Sequence, residues 1–465
     1  MASSAETSVG RLPDEMLKFI VDRRSRLTGP RLGRLLSKGR PPLQTPLYVA
    51  ATSRGVVPHV AEDLLQRHTA VSAVYMGLED FVEKCRTEAP VFKTPASQDE
   101  SALRKYTALH SSCLLILGPR RVPALTPTAQ NSNTAISIST SVGFRTLEAA
   151  DYDAATLTLR PDVATGLADL ISADKISKKR MEKSADRTHG WLRDTIARRG
   201  QSGQLWPPLF ASILPLEQQQ QQLYLQDLAE EYEPNISGLV AFDADSVALL
   251  PASLSHLPRI CLSDPHTPQD ILHAVSLGVD LITVPSVTSI SEQGLAFSFC
   301  FPAPAMPSVA RQALVLDMWS DCHAGSCEPL VEGCQCYTCV GHHRAYVYHL
   351  LQTKEMLAWT LLQIHNFHVL NRFFGQVRES IMASSFDADM QRFKLYYEDA
   401  IVAGDGKGRG PRTRGYHLKS NGGDPKRNEK KWGRFENGTA HAITAEADDG
   451  AVPEAGIRGE SLESV

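Results

Sequence analysis

Short apolar, β-branched runs recur through the first 290 residues: Leu47 to Ala50, Val71 to Met76, Cys113 to Leu117, Ala135 to Ser139, Leu209 to Leu214, Gly238 to Phe242, Ile260 to Leu262 and Leu281 to Val284. Runs of this length and continuity read as strands, and amphipathic segments of helical length separate several of them. Alternation of this kind predicts parallel β/α units. About eight strands suit a closed (β/α)8 barrel of the TIM type, with a doubly wound open sheet as the alternative. The clearest helix start is Thr267-Pro268-Gln269-Asp270: a hydroxyl at the N-cap, proline at the first helical position and an acid in the first turn. Ile271, Leu272, Ala274 and Val275 then supply its apolar face.

From Arg344 to Phe374 the pattern turns helical, with Tyr348, Leu351, Leu357, Leu361, Leu362 and Ile364 on a broad apolar face. One long helix, broken at most once, is predicted there. Two biased stretches stand apart: five glutamines at Gln218 to Gln222, and everything after Ala403. Between Asp405 and Arg434 ten Lys/Arg face three acids, while from Glu436 to Val465 seven acids face one Arg. Few large apolar residues occur in this tail, so it cannot bury enough surface to offset its ordering entropy and is expected to be disordered.

The chain has 465 residues, 42% of them hydrophobic, and a net charge of -4, which suits a large globular body. It has no run of eighteen apolar residues and no secretory h-region, so neither a membrane span nor export is expected. The Arg-rich segment from Arg23 to Arg40 follows Glu6, Asp14, Glu15 and Asp22, against the acid-poor composition of a transit peptide.

Five of the nine cysteines fall between Cys322 and Cys339. Clustering of this kind reads as metal binding before disulfides. Cys334, Cys336 and Cys339 form Cys-x-Cys-x2-Cys, which can wrap three thiolates around one ion. A tetrahedral site then lacks one ligand. His342, His343, Cys322, Cys327 or a histidine returning from the far end of the helix could supply it, and spacing does not choose among them. The bland alternatives are three unligated core thiols and an ordinary helical histidine at His365.

These residues resemble a known family, the tRNA-guanine transglycosylases, whose zinc motif is Cys-x-Cys-x2-Cys followed after twenty-five residues by histidine. Residues 340 to 364 separate Cys339 from His365 by that interval. The resemblance extends to Thr45-Pro46 with the stretch Thr52 to His59, to Lys183 through Leu192 (KSADRTHGWL), and to Pro258-Arg259, Thr267-Pro268 and Gly278-Val279-Asp280. It implies a (β/α)8 barrel with one structural Zn2+ on Cys334, Cys336, Cys339 and His365. It divides the chain into a flexible N-terminus over 1–24, a barrel over 25–403 carrying a zinc subdomain at about 317–385, and the charged tail over 404–465.

Catalytic members of the family use an aspartate nucleophile three residues after the Asp of Gly-x-Asp, and a second aspartate as general acid/base. Here the nucleophile position is Thr283, followed by Val284-Pro285-Ser286, and Asp280 merely fills the Gly-x-Asp position. No Asp-Ser-Gly-Gly-Phe-Gln string occurs, and Cys113 to Gly143 contains no aspartate. The base-pocket loop survives only as Ser237 to Asp243, with Phe242 in place of glycine. The pattern resembles family members that serve as non-catalytic accessory subunits. That likeness implies a heterodimer with the catalytic subunit of queuine tRNA-ribosyltransferase, acting on tRNAs with GUN anticodons at wobble position 34. It also implies a cytoplasmic location, with peripheral association at the mitochondrial outer membrane as an extension.

Two competing readings remain: an active transglycosylase that recruits Asp264 or Asp243, and an unrelated zinc-stabilised RNA-binding protein. The basic stretch 405–434 and the run Lys175, Lys178, Lys179, Arg180 and Lys183 are candidate phosphate contacts, set against ordinary solvated charge.

Overall fold

The computed structural model describes residues 16–24, 29–82, 89–96, 101–124, 131–140, 143–171, 177–304, 310–401 and 410. An antiparallel sheet of β1 (Leu17–Arg24), β2 (Arg31–Ser37) and β3 (Leu43–Thr45) comes first. Then follow β4 (Leu47–Ala51), β5 (Ala73–Gly77) and β6 (Leu114–Gly118), an antiparallel hairpin of β7 (Ala135–Thr140) and β8 (Gly143–Glu148), and β9 (Val163–Thr165). β10 (Leu209–Ile213), β11 (Gly238–Ala241), β12 (Arg259–Cys261) and β13 (Leu281–Thr283) complete a closed parallel barrel with β4, β5, β6 and β9. Closure rests on β13 against β4, where Leu281, Ile282 and Thr283 face Leu47, Tyr48 and Val49. The closed ring excludes the open doubly wound alternative. A last antiparallel pair, β14 (Leu295–Phe297) and β15 (Val315–Asp317), lies outside it.

The barrel strands are apolar throughout because both faces are buried. In β4, Leu47 and Val49 join the barrel interior while Tyr48 and Ala50 pack outward into the helical layer; in β6, Leu114 and Ile116 point in and Leu115 and Leu117 out. Burial of each such side chain contributes roughly 1.5–3 kcal/mol. Leu35 of β2 and Leu43 of β3 extend the interior cluster beyond the strand starts, so the N-terminal sheet closes that end. Arg31 fastens it: its Nε donates to Asp280 at 2.9 Å and its guanidinium also donates to the carbonyls of Ser255 and Leu257.

Two expectations need correction. Leu17 to Arg24, assigned above to a flexible N-terminus, pair with β2 from Leu17↔Ser37 to Arg24↔Arg31. The Ala135 run is a strand of the excursion hairpin, not of the barrel, and the barrel place it was expected to fill belongs to the three-residue β9. The glutamine tract, set apart above by its composition, sits against the barrel: buried Gln221 donates from Nε2 to the carbonyls of Leu214 and Leu216 just past β10.

The predicted helix start at Thr267 is present, with a capping box between Thr267 and Asp270 and the helix running Pro268–Ser276. The long helical region is two helices, Arg344–Gln352 and Met356–Ala383, divided at Lys354, whose φ is 56°. Leu357 sits just after the break and is exposed, against its expected place on the apolar face. Apart from Gly410, the charged tail lies outside the described residues. No helix among the described residues is long and apolar enough to cross a membrane.

Candidate metal centre and the barrel mouth

Cys334, Cys336, Cys339 and His365 come together with all four donor atoms within 4.8 Å of one another, and all four residues are buried. The three cysteines lie on a tight loop that enters the short helix Tyr337–Gly341, with Cys336 at its N-cap; the Cys339 amide donates to the Cys336 sulfur at 3.3 Å. His365 arrives from the middle of the helix Met356–Ala383, which Thr338 joins to the loop by donating to the Leu361 carbonyl at 2.6 Å. Such a set can hold a metal ion.

The ring of His365 is oriented for that role. Nδ1 faces the sulfurs of Cys339, Cys336 and Cys334 at 3.4, 3.5 and 3.9 Å, and Nε2 lies 2.9 Å from the Phe297 carbonyl. A carbonyl only accepts, so Nε2 carries a proton, and Nδ1 is the nitrogen turned to the cluster. Burial alone would lower the pKa of His365, but hydrogen bonds to Cys334 and Cys339 raise it to about 9 in the metal-free protein. Cys334 is held low by hydrogen bonds from Cys336 and Cys339, and those within the cluster push Cys336 up, so the thiols share protons that an incoming cation would displace.

The other candidates for a fourth ligand are elsewhere. His342 stacks on Tyr346 with ring centroids 5.4 Å apart, and His343 caps its helix by accepting from the Tyr346 amide. Cys322 and Cys327 are exposed, and Ser320 donates to the Cys322 sulfur. Sequence reasoning missed Asn366, the neighbour of His365. Its Oδ1 accepts from the Phe297 amide at 2.8 Å, and its Nδ2 donates to Ser291 Oγ and the Leu295 carbonyl. A polar residue inside an otherwise apolar helix face was the available signal.

At the C-terminal ends of the barrel strands, where barrels of this type carry catalytic groups, the side chains are tied to one another. Thr283 is fully buried and its hydroxyl donates to the Ser263 carbonyl at 2.7 Å, with the Cys261 carbonyl at 3.2 Å. β6 runs out into Arg120 and Arg121, neither of which was singled out from the sequence. Arg121 pairs with Glu79 at 2.9 Å and Asp80 at 3.0 Å, and Arg120 donates to the Ser137 carbonyl of the hairpin and to Asn131. Asp169, beyond β9, is held by Arg180 at 2.8 Å, Arg187 at 3.0 Å and Asn131 at 2.6 Å.

Arg180, from the basic run on the helix Lys178–Ser202, is therefore turned toward an internal acid, Lys178 pairs with Glu182 along the exposed helix face, and Lys175 lies outside the described residues. Half-buried Phe242 joins Tyr75, Leu170 and Leu262 in lining a small apolar cleft at the mouth. Asp243 accepts from the Ser246 amide at 2.7 Å. Asp264 differs: burial raises its carboxyl, and Oδ1 is enclosed without a hydrogen-bond partner. Asp280 lies at the opposite end of the barrel, paired with Arg31.

With this geometry in place, comparison with known proteins gives a consistent result. The family described as Queuine tRNA-ribosyltransferase matches residues 26–399. A protein of Schizosaccharomyces pombe named Queuine tRNA-ribosyltransferase accessory subunit 2 is 33% identical over 397 residues, covering 84% of this chain and 86% of the relative. Proteins of the same name from Drosophila grimshawi and Drosophila melanogaster are 27% and 28% identical, covering 82% and 78% of this chain and 92% and 89% of the relatives. Barrel, cysteine-histidine cluster and sequence agree, and the chain belongs to the queuine tRNA-ribosyltransferase family.

Proposed function

We propose that this chain is the non-catalytic partner of a two-subunit transglycosylase, pairing with a catalytic subunit and helping to hold tRNA while guanine is exchanged for queuine at position 34 of GUN anticodons. The observation that carries this reading is Thr283. A nucleophile must present an ionised or readily deprotonated group to the ribose anomeric carbon. Here the hydroxyl at that position is buried and engaged as a donor to main-chain carbonyls. Beyond β5, Glu79 and Asp80 are paired with Arg121, which holds both acids in ion pairs and away from proton transfer.

The cysteine-histidine cluster fits a structural zinc ion. Three thiolates and one neutral imidazole are the soft, four-donor set that zinc takes in closed tetrahedral sites, and no position is left for a reacting water. The ion would hold the loop at Cys334–Cys339 to the long helix. Placement in the cytoplasm, including the outer mitochondrial surface, rests on the family resemblance alone.

A second reading draws on Asp264, whose enclosed, unpartnered Oδ1 lies next to Ser263 at the mouth. An active enzyme using this carboxylate would lose exchange on Asp264→Asn. Co-expression of the chain with a catalytic transglycosylase chain tests the main proposal. A 1:1 complex that exchanges guanine undiminished with Asp264→Asn in this subunit supports it, and failure of the two chains to associate overturns it.

A further inference from the structure

The last continuous stretch of described residues, ending at Ile401, lies on the rim of the barrel mouth. Gln269 donates from Nε2 to the Glu398 carbonyl at 2.8 Å, and Gln269 belongs to the first turn of the helix Pro268–Ser276, which follows the C-terminal end of β12. The Glu398 amide donates to the Gln312 carbonyl at 2.9 Å, Arg311 pairs with Asp399, and Ile401 packs against the main core cluster. The chain beyond Ile401 therefore continues from the end of the barrel at which Thr283 lies.

The charge of that continuation changes sign once. Ten Lys/Arg against three acids occupy Asp405 to Arg434, and seven acids against one Arg occupy Glu436 to Val465. The family match stops at residue 399, so both blocks are additions to the matched barrel. Charges of both signs interspersed along a segment serve solvation, whereas a block of one sign suits a partner of the other. The first arginines of the basic block alternate with glycine and end on an aromatic ring: Gly408-Arg409-Gly410, then Arg412-Thr413-Arg414-Gly415-Tyr416. An arginine can form two parallel hydrogen bonds to a phosphate or lay its guanidinium plane on an unpaired base, and a tyrosine ring stacks on bases in the same way. An anionic membrane would meet the same cations, but surface binding there draws on a helical apolar face, a pattern that this glycine-rich run with Pro411 does not have.

We propose that residues 405–434 are a tRNA-contacting segment, delivered from the barrel rim and binding phosphates and unpaired bases without reading their sequence. This inference rests on the reading of the chain as a subunit that helps to hold tRNA. Thirteen residues carry the chain from Ile401 to Arg414, a reach of at most about 45 Å, so these cations can meet an RNA held beside the rim.

The test measures binding of a GUN-anticodon tRNA across a series of salt concentrations, for the full chain alone and in complex with a catalytic transglycosylase chain. Two variants remove the cations: deletion of residues 404–465, and the combination Arg409→Gln, Arg412→Gln, Arg414→Gln and Lys419→Gln. Deletion of residues 436–465 removes only the acidic block. The first two are expected to bind about tenfold or more weakly near physiological salt, and the glutamine combination to flatten the slope of log affinity against log salt by about 3. Loss of the acidic block should leave affinity equal or higher.

Equal affinity and salt slope in the full chain, the 404–465 deletion and the glutamine combination would overturn the inference, as would an equal loss on deleting 436–465. Binding that these cations confer on phosphatidylserine vesicles and not on tRNA would overturn it in favour of a membrane surface. Failure of the two chains to associate, with the salt slope of the isolated chain still set by the basic block, would overturn the subunit reading alone; association with an unchanged slope would overturn this inference alone.

Discussion

The Nε2 proton of His365 is donated to the carbonyl of Phe297 at 2.9 Å, so the residue that closes the cysteine cluster is also hydrogen-bonded to strand β14. One imidazole thereby joins the cysteine loop, the long helix and the β14–β15 pair. Cys336→Ser removes a ligand from the centre of that junction. The expected outcome is loss of bound zinc and a stability loss on the order of several kcal/mol, concentrated in residues 317–385. Metal analysis with hydrogen exchange checks it; full occupancy in the variant would remove Cys336 from the ligand set.

Asn366 ties the same helix to β14 through two hydrogen bonds, with Phe297 and Leu295, and to Ser291 of the helix Ser286–Glu292 through a third. Asn366→Ala leaves the Phe297 amide and Leu295 carbonyl buried and unpaired, a cost of about 3 kcal/mol. Urea unfolding should show that loss while zinc content stays stoichiometric. Loss of both together would mean that the asparagine supports the metal directly.

Thr283→Val keeps shape and volume but deletes the donor to Ser263. Stability should fall by about 1–3 kcal/mol, with guanine exchange by the assembled complex unchanged at permissive temperature. A selective loss of exchange at full stability would return Thr283 to the chemistry.

Burial pushes the Asp169 carboxyl up, but hydrogen bonds from Arg180, Asn131 and Arg187 outweigh it and hold the group below the ordinary carboxylate range. A carboxyl lowered by folding stabilises fully above its unfolded value, about 3.9, and that stabilisation is lost as pH falls through the lower folded value. Wild-type stability should therefore drop below about pH 4, and Asp169→Asn should flatten this segment of the curve while lowering the plateau near neutrality. Chemical denaturation across pH 3 to 7 measures it; parallel curves for the two proteins would contradict the assignment.

Seven of the barrel strands were legible because continuous burial on both faces leaves an unmistakable apolar run, as in Leu114 to Leu117. β9 escaped notice since three residues, Val163 to Thr165, are too few to carry a pattern, and the alternating Ala135 run of the hairpin took its place. β1 was missed for the opposite reason: LKFIVDRR is mostly half-exposed, and its pairing with β2 replaces a hydrophobic signal. At the cluster, local spacing gave the three cysteines, but His365 returns across a helix break that no spacing rule encodes, and only the family resemblance selected it. The ties of Arg121 to Glu79 and Asp80 join separate strand ends, so nothing local announces them.

With Thr283 buried and the surrounding acids paired, the mouth of this barrel is expected to perform no base exchange. Incorporation of labelled guanine into a GUN-anticodon tRNA, measured for this chain alone, for a catalytic partner alone and for the two combined, tests it most directly. No incorporation by this chain alone and the highest rate for the pair are expected, while turnover by the isolated chain would contradict a non-catalytic barrel mouth.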